Sequence, residues 1–150
     1  MQLDVLFEDN HVLAVNKPAS LPTMGVRSGA PSLLSMAKQY IGKKYNKPGN
    51  VYLGIVSRLD APVTGIVLMA RTSKAAARLS AAFRSRSVEK TYLAAIAGEI
   101  EPAAATLEHY LCKDERHRRV YATHVDNPSA QLARLSYETL SSRQSMTLIM

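Results

Sequence analysis

Ile55-Val56-Ser57-Arg58-Leu59-Asp60-Ala61-Pro62-Val63-Thr64-Gly65-Ile66-Val67-Leu68-Met69-Ala70 joins two apolar runs through a loop that carries an arginine and an aspartate. The run before the loop, Val51 to Val56, is partly β-branched and predicts a strand. The run after it, Gly65 to Ala70, predicts a buried strand. Pro62 breaks the pattern between them. A loop held at both ends by strands is rigid, and a reactive carboxylate needs fixed geometry. The plainer reading has Asp60 capping the Ala61-Pro62 turn, with Arg58 paired to it on the surface. The residues alone leave both readings open.

Working outward from this loop, Leu3 to Phe7 and Val12 to Val15 read as a hairpin, with Asp9-Asn10 as the turn. The chain breaks at Asn16-Lys17-Pro18, where Lys17 reads as a solvated turn residue, and a loop with Pro18, Pro22, Gly25 and Gly29 follows. Pro31-Ser32 opens a helix through about Tyr40, with Leu33, Leu34 and Ala37 on one face. Lys43 to Asn50 is a polar, basic loop. On the other side, Ser73 is an N-cap for a helix from Lys74 to Ser85, with Ala75, Leu79 and Phe83 on its apolar face. Strands are then expected over Thr91 to Ala97, Thr106 to Cys112, Arg119 to His124, Gln131 to Leu140 and Met146 to Met150. This pattern predicts an α+β domain: a mixed, largely antiparallel sheet flanked by helices, in a single domain over residues 1–150.

Composition bounds the function. With 19 Lys+Arg against 12 Asp+Glu the formal net charge is +7, which attracts polyanions. Cys112 is the single cysteine, so no internal disulfide forms, and it fits a reducing compartment. The N-terminus lacks the layout of a signal peptide, and the apolar stretch at Ile66–Ala70 is too short to span a bilayer, so a cytoplasmic protein without a membrane partner is expected. His109, His117 and His124 are scattered without zinc-type spacing, so no metal site is expected. No phosphate loop, dinucleotide fingerprint or Ser-His-Asp pattern occurs.

Ser57-Arg58-Leu59-Asp60, then Thr64-Gly65, then Leu68-Met69-Ala70-Arg71 resembles the signature of RluA-like pseudouridine synthases, whose pattern is His-Arg-Leu-Asp, a spacer, Thr/Ser-Gly and an apolar strand ending in Ala-Lys. Val12 to Pro18 is similar to that family's opening strand and Lys-Pro turn. Ser73 to Arg86 matches the helix after the Asp strand, Val88-Glu89-Lys90-Thr91-Tyr92-Leu93-Ala94 with Gly98 the Lys-x-Tyr strand, and Ala133 to Leu140 a later sheet strand. The resemblance implies an RNA-uridine isomerase acting on tRNA or rRNA, without a cofactor. It implies that Asp60 is the catalytic aspartate, that Arg58 helps displace the target base from the RNA stack, and that the Tyr92 ring packs on the target uracil. Flipping a nucleotide costs a few kcal/mol, and an aromatic face replaces the lost stacking. A carboxylate serves such chemistry as nucleophile or as base.

Two departures from the family pattern stand out. Ser57 occupies the place of the usual His, where tuning rather than loss is expected. The family's Thr-Gly-Arg-x-His-Gln-Ile-Arg stretch, which supplies an arginine to the aspartate, is absent after Thr147-Leu148-Ile149-Met150. The chain is therefore expected to lack the C-terminal part of its catalytic domain, to be inactive and poorly stable alone, and to be monomeric when full length. No N-terminal RNA-binding domain is expected, since the family pattern begins almost at Met1. RNA contact is expected from Arg78, Arg84, Arg86 and Lys90, and from Arg116, Arg118 and Arg119 at a hairpin tip. A non-catalytic RNA-binding module of the same fold is the second reading. A glycosidase would want a second carboxylate, for which Glu89 and Glu108 are the only loose candidates.

Overall fold

The computed structural model describes residues 2–27, 29–117 and 119–150. The chain divides into two compact units, Met1–Glu89 and Lys90–Met150.

In the first unit, β1 (Asp4–Glu8), β2 (Val12–Lys17), β3 (Gly54–Ile55) and β4 (Gly65–Ala70) form one sheet in the order β1-β2-β4-β3, with every pairing antiparallel. The β1–β2 turn forms as expected: the Asp9 carboxylate accepts from the amides of His11 (2.7 Å) and Val12 (2.6 Å). Alternation then sorts the β2 side chains by face. Leu13, Val15 and Lys17 are fully buried, while Asn16 is exposed. Leu13 and Val15 pack with Val67 and Met69 of β4, and with Leu33, Ala37 and Ile41 of α1 (Leu33–Lys44). Those three helical residues recur every four positions, which places them on one stripe.

α1 runs one turn further than the sequence suggests, because Ile41 extends the buried stripe and Lys43 and Lys44 suit the negative end of the helix. Its N-terminus is capped by Ser32 in a reciprocal capping box with Ser35. The expected strand over Val51 to Val56 shrinks to Gly54–Ile55: Val51 and Leu53 are buried in the core, but only Gly54 and Ile55 find partners, opposite Ala70 and Met69. The second helix, α2 (Ser73–Arg84), is capped by Thr72, one residue before the expected Ser73: the Thr72 hydroxyl takes the amide of Ala75 at 3.1 Å.

The second unit is a five-stranded antiparallel sheet of β5 (Ala94–Ala97), β6 (Ala104–Asp114), β7 (Arg119–Thr123), β8 (Gln131–Arg143) and β9 (Met146–Ile149), in the order β5-β9-β8-β6-β7. The expected strand from Thr91 starts only at Ala94, whose partner Ile149 is the last residue of β9. Cross-strand pairs lend one face of this sheet a polar character: Thr106 bonds Ser136 at 2.8 Å, and Glu108 pairs with Arg134. The α+β class and the antiparallel pairing agree with the sequence reading.

Candidate active site

Asp60 lies in the first unit, on the loop between β3 and β4. Its position follows from a chain of buried polar contacts that begins at α1. The first amides of a helix have no partner within it. Here Leu33 N donates to Pro22 O (2.9 Å) and Leu34 N to Thr23 O (3.1 Å), which fixes the segment Leu21–Thr23. That segment in turn grips the Asp60 loop. Thr23, only 3% exposed, donates its hydroxyl to Leu59 O (2.7 Å) and accepts from Leu59 N (3.2 Å). On the other side of Asp60, the Lys17 ammonium donates to Ala61 O at 2.9 Å. Asp60 itself closes a turn, its carbonyl accepting from Val63 N at 3.1 Å. The backbone is thus tied immediately before and immediately after Asp60.

The side chains of Arg58 and Asp60 are both exposed. Neither makes a hydrogen bond or ion pair within the described residues, so the surface Arg58–Asp60 pair of the plainer sequence reading does not form. The favourable charge that acts on the loop is that of Lys17. Lys17 is fully buried, with its remaining donors on Pro18 O (2.9 Å) and Leu21 O (2.7 Å). Burial pushes its pKa down, and the negative charge of Asp60 partly offsets this. The loop enters β4 at Gly65, whose φ of +133° is one that side-chain-bearing residues rarely adopt.

Of the other sequence-derived candidates, Arg78 and Arg84 are exposed on α2, and Arg86 lies exposed just past its end, with a backbone φ of +57°. Lys90 and Tyr92 belong to the second unit, in the segment ahead of β5, and Tyr92 is 53% exposed. Arg116 and Arg119 lie at the β6–β7 tip, and Arg118 falls outside the described residues. The tip is internally organised. Asp114 accepts from the His117 ring at 2.7 Å and its amide at 3.0 Å, and faces Arg119 at 3.5 Å. Backbone and side-chain bonds from His117 hold the Asp114 carboxyl below its ordinary range. Arg116 is exposed and enters none of these ion pairs. Among the described residues no group of His, Cys, Asp and Glu is placed to hold a metal, and no helix is long and apolar enough to cross a membrane.

Sequence reasoning missed Lys17 and Thr23. A signal existed for Lys17: it falls on the same alternation as Leu13 and Val15, which points it inward. Thr23 sits in an irregular loop and carried none.

The family model for RNA pseudouridylate synthase matches residues 11–150, a span that includes the whole Asp60 loop. The chain belongs to that family. It is 30% identical over 138 residues to ribosomal large subunit pseudouridine synthase C of Rickettsia prowazekii, covering 92% of this chain and 43% of that protein. It is 35% identical over 103 residues to ribosomal large subunit pseudouridine synthase D of Pseudomonas aeruginosa, covering 67% of this chain and 31% of that one. The chain thus spans less than half the length of these curated relatives. Among solved structures, human RNA pseudouridylate synthase domain containing 4 superposes with a TM-score of 0.80 over 97% of this chain and 57% of its own; at 22% identity this likeness speaks to the fold. The RluA-like resemblance read from Arg58-Leu59-Asp60 and its flanking motifs is borne out at the level of the family.

Proposed function

We propose that this chain carries the catalytic centre of an RNA pseudouridine synthase that isomerises a uridine of tRNA or rRNA, with Asp60 as the catalytic residue. The observation that carries this reading is the state of Asp60: an exposed carboxylate without a hydrogen-bonding partner among the described residues, on a backbone tied on both sides by buried side chains. A surface aspartate with only a turn to cap has no need of two buried clamps. Such preorganisation suits a group that must meet a reacting atom in one geometry.

In the reaction the N1–C1′ bond of uridine breaks, the uracil turns, and a C5–C1′ bond forms. C5 gives up a proton and N1 gains one, so the change is an isomerisation that consumes no oxidant or reductant. Arg58, exposed two residues before Asp60, is assigned to displacing the base from the stack, and Tyr92 to stacking on the extruded uracil. Arg78, Arg84, Arg86 and Lys90, with Arg116, Arg118 and Arg119, are assigned to the RNA phosphates. A cytoplasmic monomer is the setting this reading expects.

The test incubates the full chain, as its gene encodes it, with tRNA and rRNA and maps pseudouridine, alongside Asp60→Ala. Pseudouridine formed by the wild type and lost in Asp60→Ala supports the reading. Binding of RNA by both proteins with conversion by neither overturns it in favour of a non-catalytic RNA-binding module. Ser57, standing where the family has His, is the sequence feature on that side.

A further inference from the structure

The two faces of the second sheet differ, because side chains alternate along each strand. Leu107 of β6 stands opposite Leu135 of β8, and Val120 of β7, opposite Lys113, shares that face. The other face is polar. It holds the Thr106–Ser136 and Glu108–Arg134 pairs and, on the edge strand β7, Arg119, Tyr121 and Thr123. Tyr121 thus stands among polar groups and not on the apolar face, and it is 44% exposed. Its cross-strand neighbour Cys112 is buried. Their side chains are hydrogen-bonded, which pushes the phenol pKa up and holds the hydroxyl end of the ring. A ring already held loses little freedom on binding. Two residues earlier, about 7 Å along the strand, Arg119 lies exposed on the same face. Asp114, opposite Arg119 at 3.5 Å, is half-buried, so the guanidinium is the part of this pair that solvent meets. An open aromatic face with a cation on the same strand suits an unpaired nucleotide: the base stacks on the ring and the phosphate meets the cation. A duplex offers no free base face along its length. The nucleotide held here is not the target. β7 and β5 are opposite edges of the sheet, roughly 19 Å apart at ordinary strand spacing, and Tyr92, assigned to the target uracil, lies in the segment leading into β5.

We propose that Tyr121, with Arg119 beside it, is a stacking subsite for an unpaired RNA nucleotide other than the target uridine. This rests on the reading of the chain as an RNA enzyme, though not on the role given to Asp60. The subsite tolerates any base, because every base has a π-face, and it selects an open strand or loop over a duplex.

The experiment uses the full chain, as its gene encodes it, with two probes that hold no uridine: single-stranded oligoadenylate, and a blunt guanine–cytosine RNA duplex of the same length. In wild-type protein labelled on tyrosine, the Tyr121 ring resonances, assigned by their absence from Tyr121→Phe, move upfield as oligoadenylate is added. That is the ring-current mark of a stacked base, and the duplex leaves them in place. Tyr121→Ala weakens oligoadenylate binding about tenfold and leaves duplex binding within about twofold. Tyr121→Phe, which keeps the ring and loses the bond to Cys112, binds both probes as the wild type does. Arg119→Ser weakens binding of both probes and flattens the slope of log affinity against log salt by about 0.7 for the single strand, a slope that Tyr121→Ala leaves unchanged. Tyr121 resonances that do not respond to saturating oligoadenylate overturn the proposal without recourse to any variant, whether another part of the chain or a second protein covers the ring. Tyr121→Phe as weak as Tyr121→Ala also overturns it, since the bond to Cys112 and not the stacking face would then be what matters. No arm reads uridine conversion, so a failure of Asp60 as the catalytic residue leaves these measurements to decide the subsite by themselves.

Discussion

Replacing Glu8 by Gln tests the polar hub that ties β1 to α1 and to the end of β4. One Glu8 oxygen accepts from Tyr40 (2.8 Å) and Lys44 (2.7 Å), the other from Tyr45 (2.6 Å) and Arg71 (3.0 Å). The Glu8 side chain is 7% exposed and that of Arg71 9%. Burial by itself raises the Glu8 pKa, but the hydrogen bonds from Lys44, Tyr45 and Tyr40 outweigh it and bring it from 4.5 down to about 2. At about 1.4 kcal/mol per pKa unit that displacement is worth roughly 3 kcal/mol at neutral pH. Lys44 is half in solvent, which screens its share and leaves about 2 kcal/mol for the hub. Glutamine keeps the size but turns one acceptor into a donor, facing two donors, and removes the carboxylate with which Arg71 pairs. Glu8→Gln is therefore expected to lose about 2–3 kcal/mol at pH 7 in urea unfolding. The sign with pH is fixed. A carboxyl whose pKa is lower in the folded state contributes fully above its unfolded value of 4.5 and loses that contribution as pH falls toward 2. The gap between wild type and variant should thus narrow between pH 5 and about 2. A gap below about 0.5 kcal/mol at pH 7, or one that stays constant with pH, refutes the reasoning.

Other variants test separate links. Thr23→Val keeps shape but strands the Leu59 N–H and C=O, and is expected to cost about 1–3 kcal/mol in urea unfolding with faster exchange of the Leu59 amide. Ser32→Ala removes the α1 cap and is expected to cost about 1 kcal/mol by thermal or urea melts. Arg116→Ser is expected to weaken RNA binding alike for different sequences, and to flatten the slope of log affinity against log salt by about 0.7, measured by titration at several salt concentrations; an unchanged slope removes Arg116 from the phosphate contacts.

Much of the fold was legible in the sequence because period and punctuation agreed. Apolar runs marked β2 and β4, and Asp9-Asn10 marked the first turn. Boundaries moved where tertiary partners decided them: Val51 and Leu53 have strand-like side chains but are spent on the core rather than on pairing, and β5 begins only where β9 offers a partner. Asp60 was legible because its loop carries a recognisable pattern between two apolar runs. Its clamps were not. Thr23 acts through a backbone contact 36 residues away, which no local pattern announces. Lys17 reads in the sequence as a solvated turn residue because of its charge and the proline after it, whereas it extends the inward alternation of β2 and three carbonyls surround its ammonium. The Glu8 hub was equally hidden, since its partners Tyr40, Lys44, Tyr45 and Arg71 come together only when α1 and β4 pack beside β1.

The most direct measurement is the single-turnover conversion of uridine in a bound RNA by Asp60→Asn in the full chain, with the RNA dissociation constant measured on the same samples. Exchange of one carboxylate oxygen for an amide should leave affinity within about threefold and lower conversion by at least three orders of magnitude, a loss of about 4 kcal/mol of transition-state stabilisation. Conversion within tenfold of the wild-type rate would mean that the clamped side chain at position 60 is not the group that performs the reaction.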